Sequence, residues 1–548
     1  MYNLSCSIGY TPEEQVRKLP YLATLLISVS IIVFLFILLY NNIVCYEDFY
    51  QIFYTNGDSY QKIYTQADHG CLVSWVFMKM IGSFIPLKFN VHPNDNLFGN
   101  IVIGINFAIY IFLASRFAML FCKNKKFMPV WYLISFACFY PLFFYQLSGS
   151  VFTYCRHYRY VFAVIFYLLF WNVYIKSFVK QKIPVEKLGF LGFLSFFVGV
   201  SVEPANISAM ASLIFLVPFQ LMLMAKENNL KFSEVIEQIK LRGKKIYIPF
   251  IFFFLGCLTF YLNPEFWNIA KDREVLFNIH NYDKLVFFLS EFIKECCQSL
   301  FLSDGYYLFL MALILLSCLV LALNKNIFEK VRVVVSAWGL FLGVILFYLL
   351  LIIPGKTYYD GVHFWVVSAD LRSFVFCVFL CSVFILAGYL VNYLIETTGK
   401  EKLILILLSI VAITAIAINI YLFKLNFNYF IKLKKSQREM MYKFEKMYVF
   451  YSFKGADTAV LPQSLAENEC FGHIILKIGA FKKQESWFLT PYFTTIYKRV
   501  NYIPIKLLPD KEAMKLFYSR GGKLSADEIE TADFTKLLDE NFILNDKN

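Results

Sequence analysis

Two adjacent carboxylates, Glu47 and Asp48 in Cys45-Tyr46-Glu47-Asp48-Phe49-Tyr50, follow directly on the first long apolar stretch of the chain. Acids at that point sit where a membrane helix meets water. A carboxylate there can take a proton from a hydroxyl while a lipid-borne group is held in the bilayer. The same pair also suits a helix end that simply meets solvent. Further on, Ala67-Asp68-His69-Gly70 combines an acid with an imidazole, a second place for proton transfer or for holding a polar substrate through Asp68 and His69.

A cationic set complements these acids. Tyr154-Cys155-Arg156-His157-Tyr158-Arg159 puts two guanidiniums at the edge of an apolar run. Planar guanidinium forks match phosphate oxygens, so Arg156 and Arg159 suit a lipid phosphate or diphosphate, and headgroup anchoring by snorkelling side chains accounts for them equally. Between Lys356 and Arg372 a short loop gathers Tyr358, Tyr359, Asp360, His363, Trp365, Asp370 and Arg372. Rings such as Tyr359 beside polar neighbours such as His363 suit a sugar face, and Arg372 suits a phosphate; an interfacial aromatic belt explains the rings as well. Glu203 stands in Glu203-Pro204-Ala205-Asn206 between two apolar runs. An acid at that depth is costly unless it is paired or faces water, so it reads either as a substrate contact or as the partner of Arg156 or Arg159. Two adjacent carboxylates could hold a divalent metal, but neighbouring side chains on one segment seldom point the same way, and the reading favours no metal and no cofactor.

The elements that must position these groups are membrane helices. The chain has 548 residues, 59% of them hydrophobic and only 17% charged, with a mean hydropathy of +0.58. Such a chain is an α-helical polytopic membrane protein rather than a soluble enzyme. The net charge of +13 then fits loops lying against anionic headgroups rather than a nucleic-acid partner. None of the 13 cysteines falls in a zinc-type Cys/His spacing.

Apolar runs recur near 20–42, 100–120, 128–147, 158–176, 188–202, 206–225, 246–263, 305–323, 333–353, 374–395 and 403–424, which gives about eleven transmembrane helices. The short connection at Glu203-Pro204-Ala205-Asn206 is the weakest boundary among them. Lys and Arg concentrate in Cys122 to Lys126, Lys176 to Lys187, Lys226 to Lys245, Lys325 to Arg332 and Lys400 to Lys402, which puts these connections and the N-terminus inside. The long opposite loops, 43–98 and 264–304, each contain an apolar stretch too interrupted to span. These stretches, Cys71 to Pro86 and Leu285 to Leu302, read as helices lying in the interface. Of the six histidines, His69, His92, His157, His280 and His363 fall in outer membrane-adjacent loops and His473 beyond the last span.

Residues 1–424 thus form a transmembrane domain, and 425–548 a small C-terminal α/β unit expected outside. That unit has charged helical patterns at Ser436 to Lys446 and Ser525 to Glu540 and strand-like runs at Met447 to Phe453 and His473 to Ile478. One feature opposes an outside location: Lys424, Lys432, Lys434, Lys435 and Arg438 form a basic patch just after the last span, which the positive-inside rule would keep in the cytoplasm. No Gly-rich phosphate loop is present.

Taken together, Glu47-Asp48-Phe49 after the first span, Asp68-His69-Gly70 ahead of an interfacial helix, Glu203 in a short outer hairpin and Arg372 entering a late span resemble the bacterial polytopic glycosyltransferases of the GT-C superfamily, particularly the O-antigen glucosyltransferase-like membrane proteins. Val460-Leu461-Pro462, with Trp487 ahead of Tyr497, is similar to their outer domains. The family's usual Asp-Asp appears here as Glu-Asp, and the position after His-Gly, often basic in the family, is Cys71. The resemblance implies transfer of a sugar from a polyprenyl-phosphate donor to a glycan or lipid-linked saccharide acceptor at the outer face of the bacterial inner membrane. Asp48 or Glu47 would be the base, and Arg372 with Arg156 or Arg159 would hold the departing phosphate. A transporter or flippase for a lipid-linked saccharide, and a non-catalytic envelope assembly protein, are the competing readings. The first would show polar or broken helices at the midplane and an internal repeat.

Overall fold

A computed structural model describes residues 12–40, 72–139 except 123, 157–179, 186–263 except 202, 228, 230 and 231, 306–352, 369–465, 493, 496, 497, 500 and 503–544. Twelve principal helices occupy the first part: α1 (Pro12–Leu39), α2 (Leu72–Lys79), α3 (Leu97–Arg116), α4 (Met128–Phe139), α5 (Ala163–Val179), α6 (Glu186–Gly199), α7 (Glu203–Glu227), α8 (Phe232–Tyr261), α9 (Tyr306–Ala322), α10 (Ile327–Ile352), α11 (Ala369–Thr398) and α12 (Glu401–Phe453). Each apolar run expected to span contains described helix. Five stretches are long and apolar enough to cross a membrane: Leu19–Leu39, Leu97–Arg116, Ala205–Glu227, Phe374–Thr398 and Glu401–Leu425. The stretch in α11 is 78% buried and that in α12 only 11%, so α11 lies inside the bundle and α12 at its edge.

With no water at membrane depth, helices pack through small residues and through side chains that reach across to backbone. Gly199 of α6 and Gly256 of α8 mark such a contact. A methyl built on Gly256 would fall on the carbonyl oxygen of Phe196, and one on Gly199 on that of Phe253, so the two helices touch backbone to backbone. Elsewhere polar side chains tie neighbours together. Tyr132 and Ser135 of α4 donate to the carbonyls of Ala108 and Ile111 in α3, each at 3.0 Å. Asn419 Nδ2 of α12 donates to the Ala137 carbonyl at 2.8 Å.

Two stretches open into π-helix. Met80–Phe84 continues α2 and runs into a last turn, Ile85–Lys88, while His157–Phe162 leads into α5. The expected interfacial helix at Cys71 to Pro86 is therefore helical throughout its described part. Val76, Met80, Phe84 and Phe89 are exposed along one side, as are Leu97, Phe98 and Ile101 on the following α3. A helix with one apolar stripe left uncovered suits a membrane interface. The second interfacial stretch, Leu285 to Leu302, lies outside the described residues.

Helix α12 is 53 residues long and continues unbroken past position 425. At about 1.5 Å per residue it measures roughly 80 Å, against roughly 30 Å for a hydrocarbon core. The expected strand at Met447 to Phe453 is a correction: these residues are the last turns of α12. Tyr448, Val449, Phe450 and Tyr451 are all buried. A helix covered on every side shows no helical alternation, and its β-branched and aromatic run imitates a strand. Beyond it, β1 (Ala459–Pro462) pairs in parallel with β2 (Ile505–Leu508), with Ala459 opposite Ile505. Then follow α13 (Asp510–Ser519), α14 (Ala526–Thr531), a 3-10 segment (Phe534–Leu538) and α15 (Glu540–Leu544). The charged stretch Ser525 to Glu540 is thus broken into short pieces, and His473 to Ile478 lies outside the described residues.

Candidate functional site

Glu47, Asp48, Asp68, His69, Arg156, Tyr359 and His363 lie outside the described residues. Three expected site residues fall on described backbone. Arg159 is within the π segment His157–Phe162, Glu203 is the first residue of α7, and Arg372 is in the first turn of α11. The π segment touches α2, α3 and α11, so the elements bearing Arg159 and Arg372 meet. His157, expected in an outer loop, is fully buried at the start of that segment, with Nε2 3.4 Å from Asn106 Nδ2.

The most developed polar site joins the end of the first outer loop to the C-terminal unit. His92-Pro93-Asn94-Asp95 is a turn by composition, since Pro, Asn and Asp favour one. It forms a 3-10 turn capped by His92, whose ring Nδ1 accepts the backbone N–H of Asn94 at 3.2 Å. That bond leaves the ring proton on Nε2, which faces Glu445 Oε2 of α12 at 3.0 Å. The Tyr497 hydroxyl donates to the same oxygen at 3.0 Å and lies 3.3 Å from His92 Nε2. Asn94 Nδ2 donates to Glu445 Oε1 at 2.8 Å. Both charged partners of this centre, His92 and Glu445, have no solvent-exposed side-chain surface. Burial, and then the Glu445 charge, push the Tyr497 phenol well above its ordinary range, so the hydroxyl stays a donor.

A second layer surrounds that centre. Arg438 of α12 donates to the carbonyls of Asn94 at 2.7 Å and Ala532 at 2.9 Å, pairs with Asp95, and lies over the Phe534 ring at 5.0 Å. Asp95 Oδ2 accepts from the Thr535 backbone N–H at 2.9 Å, and the His92 and Phe534 rings stack at 5.2 Å. Lys446, buried, pairs with Glu528 at 2.6 Å, and Lys435 with Glu530 at 2.9 Å. The basic patch that opposed an outside location is therefore engaged: Arg438 and Lys435 meet Asp95 and the acids of α14. Chemically, a sealed centre of this kind gives no substrate access. It fixes one loop and one helix against each other, because each buried polar group would lose a partner if they separated.

The other end of the bundle carries its own ion pairs. Lys126 meets Glu401 at 3.1 Å, Lys325 pairs with Glu396 and Arg332 with Glu227. All three basic residues stand in or beside connections that the Lys and Arg bias assigns to one face.

Sequence reasoning singled out His92 only as one of several loop histidines and missed Asn94, Asp95, Glu445, Lys446, Tyr497 and Glu528. The available signal was sign complementarity. A basic run at 432–446 and an acidic run at 527–533 are adjacent only once the chain has folded.

Comparison with family models, with curated proteins and with solved structures gives no match to this chain.

Proposed function

We propose that the chain is an integral membrane glycosyltransferase that moves a sugar from a polyprenyl-phosphate donor to a glycan or lipid-linked saccharide at the outer face of a bacterial inner membrane. The single observation that supports it most is the buried junction at His92–Asp95. The loop that carries Glu47-Asp48 and Asp68-His69 leaves α1 at Leu39, whose carbonyl accepts from Asn100 Nδ2 at 3.3 Å, and re-enters the bundle through α2 and this junction. The soluble unit is thereby held at the same end as the acid-bearing loop, while the basic connections pair at Lys126–Glu401 and Lys325–Glu396. In this proposal about eleven helices span, the N-terminus is inside, and residues 425–548 are extracytoplasmic.

The reaction is a displacement at the anomeric carbon. Asp48, or else Glu47, takes the proton of the acceptor hydroxyl. The oxygen then forms the new C–O bond as the bond to the donor phosphate breaks, and the phosphate leaves with the electron pair. Arg372 with Arg156 or Arg159 stabilises that charge. A lipid phosphate is already a good leaving group, so no nucleotide site is required.

The test uses the purified chain in liposomes with a radiolabelled polyprenyl-phosphate sugar in the outer leaflet. Label passing to a saccharide acceptor supports the proposal; label retained on the donor under every acceptor tried contradicts it. A reporter fused after Asn548 checks the orientation separately, and a cytoplasmic signal would overturn it.

A further inference from the structure

Three basic residues stand on three elements that meet at one place. Lys79 ends α2, exactly one residue before the π segment Met80–Phe84. Arg159 lies in the second π segment, His157–Phe162, and Arg372 in the first turn of α11. The second π segment touches both α2 and α11, and the rings of Phe77 and Phe162 pack at 4.8 Å across the first of these contacts. π-helix is rare, well under 1% of residues as a rule, and concentrates where a local shift of the backbone serves a site. Here two such stretches flank one contact. The first is held open from outside: Asn96 Nδ2 donates to the Ile81 carbonyl at 2.7 Å, while Ser83 Oγ bonds back to the Lys79 carbonyl at 3.0 Å.

Resting on the glycosyltransferase reading above, we propose that Lys79 is a further phosphate-binding residue, which joins Arg159 and Arg372 in holding the phosphate of the polyprenyl donor. Three observations carry it. The helix bearing Lys79 leads directly out of the acid-bearing loop, so its end lies beside the reacting groups in sequence. Its uncovered stripe of Val76, Met80, Phe84 and Phe89 puts the helix at the depth of lipid headgroups, where a prenyl phosphate is found. Lys79 itself is half-buried, on the flank of the helix away from that stripe, where an ammonium has little water to solvate it. Burial draws this amine down to about 7; an anion alongside would restore its charge, so phosphate binding and protonation favour each other. Lysine supplies a point charge to phosphate where arginine supplies a planar fork.

The experiment titrates the full-length protein in detergent micelles with a long-chain polyprenyl phosphate and follows the bound lipid by native mass spectrometry. The uncharged polyprenol of equal length and phosphatidylglycerol serve as comparisons. Lys79→Met is expected to weaken polyprenyl-phosphate binding about tenfold or more, Lys79→Arg to stay within about threefold of the parent, and polyprenol binding to be unchanged in both. Equal binding by Lys79→Met and the parent would overturn the inference. So would a parent that binds polyprenol as well as polyprenyl phosphate, or one in which phosphatidylglycerol competes on equal terms. If Lys79→Met loses the phosphate lipid as expected but the parent transfers no sugar, the phosphate site stands and the glycosyltransferase reading fails.

Discussion

Replacing Glu445 by Gln tests whether the buried junction holds the C-terminal unit in place. The carboxylate accepts from Asn94 at one oxygen and faces Tyr497 and His92 Nε2 at the other. A glutamine of the same shape must put its NH₂ at one of these two positions. If it lies at Oε2 it meets the Tyr497 hydroxyl and the His92 Nε2 proton; if it lies at Oε1 it meets Asn94 Nδ2. Rotation of the phenol relieves one conflict, but the imidazole cannot follow, because its Nδ1 is occupied by the Asn94 N–H. Hydrogen bonds to a charged group contribute about 1.5–3 kcal/mol each, and breaking a buried ionic network typically costs about 3–5 kcal/mol in total. At about 1.4 kcal/mol per factor of ten, the junction should open roughly two to three and a half powers of ten more often. Hydrogen exchange of the protein in nanodiscs reads this directly at Asp95 to Gly99 and at Phe534 to Leu538, with amides of α3 and α11 as internal controls. Adding Tyr497→Phe removes one donor facing the glutamine, so the double variant should be less perturbed than the two single effects summed. Unchanged exchange at both segments in Glu445→Gln would refute the account of the junction.

Two further outcomes follow from the same structure. Gly256→Ala places a methyl on the Phe196 carbonyl, which must push α6 and α8 apart at a cost of about 1–3 kcal/mol; a thermal unfolding midpoint equal to the parent's would contradict that contact. The Lys435–Glu530 pair should give the clasp of α14 on α12 a pH window. Its partner's charge lowers Glu530 and raises Lys435. Glu530 therefore contributes above the ordinary carboxylate range and is lost as pH falls through its depressed value, while Lys435 contributes below the ordinary lysine range and is lost as pH rises through its elevated value. Exchange of the α14 amides should accordingly increase at both acid and alkaline extremes and also in high salt, and a flat profile in Glu530→Gln would identify the pair as the cause.

The helices were legible because lipid leaves a long apolar run no other hydrogen-bonded form, and even the brief break before Glu203 appears as three residues between α6 and α7. The length of α12 was not legible. Its lipid-exposed part and its protein-buried part have different faces to cover, so Met447 to Phe453 carries the apolar density of a core element and imitates a strand. The turn at His92 to Asp95 was readable from Pro, Asn and Asp, but its partners were not, since Asp95 and Arg438 are brought together only by tertiary folding. The basic patch at 432–438 shows the same limit: read alone it is a topological signal, and read with α14 it is half of an internal ion-pair set. The acids that opened the sequence reading, Glu47 and Asp48, owe their interest to residue type and to their place after α1.

The most direct measurement of the central claim is the rate of sugar transfer from a polyprenyl-phosphate donor by Asp48→Asn and Glu47→Gln, each purified and reconstituted beside the parent. Loss of a general base costs about a hundredfold to ten-thousandfold, so Asp48→Asn should fall by that much with donor binding retained, while Glu47→Gln keeps most of the rate. Transfer at the parent's rate by both variants would contradict the account.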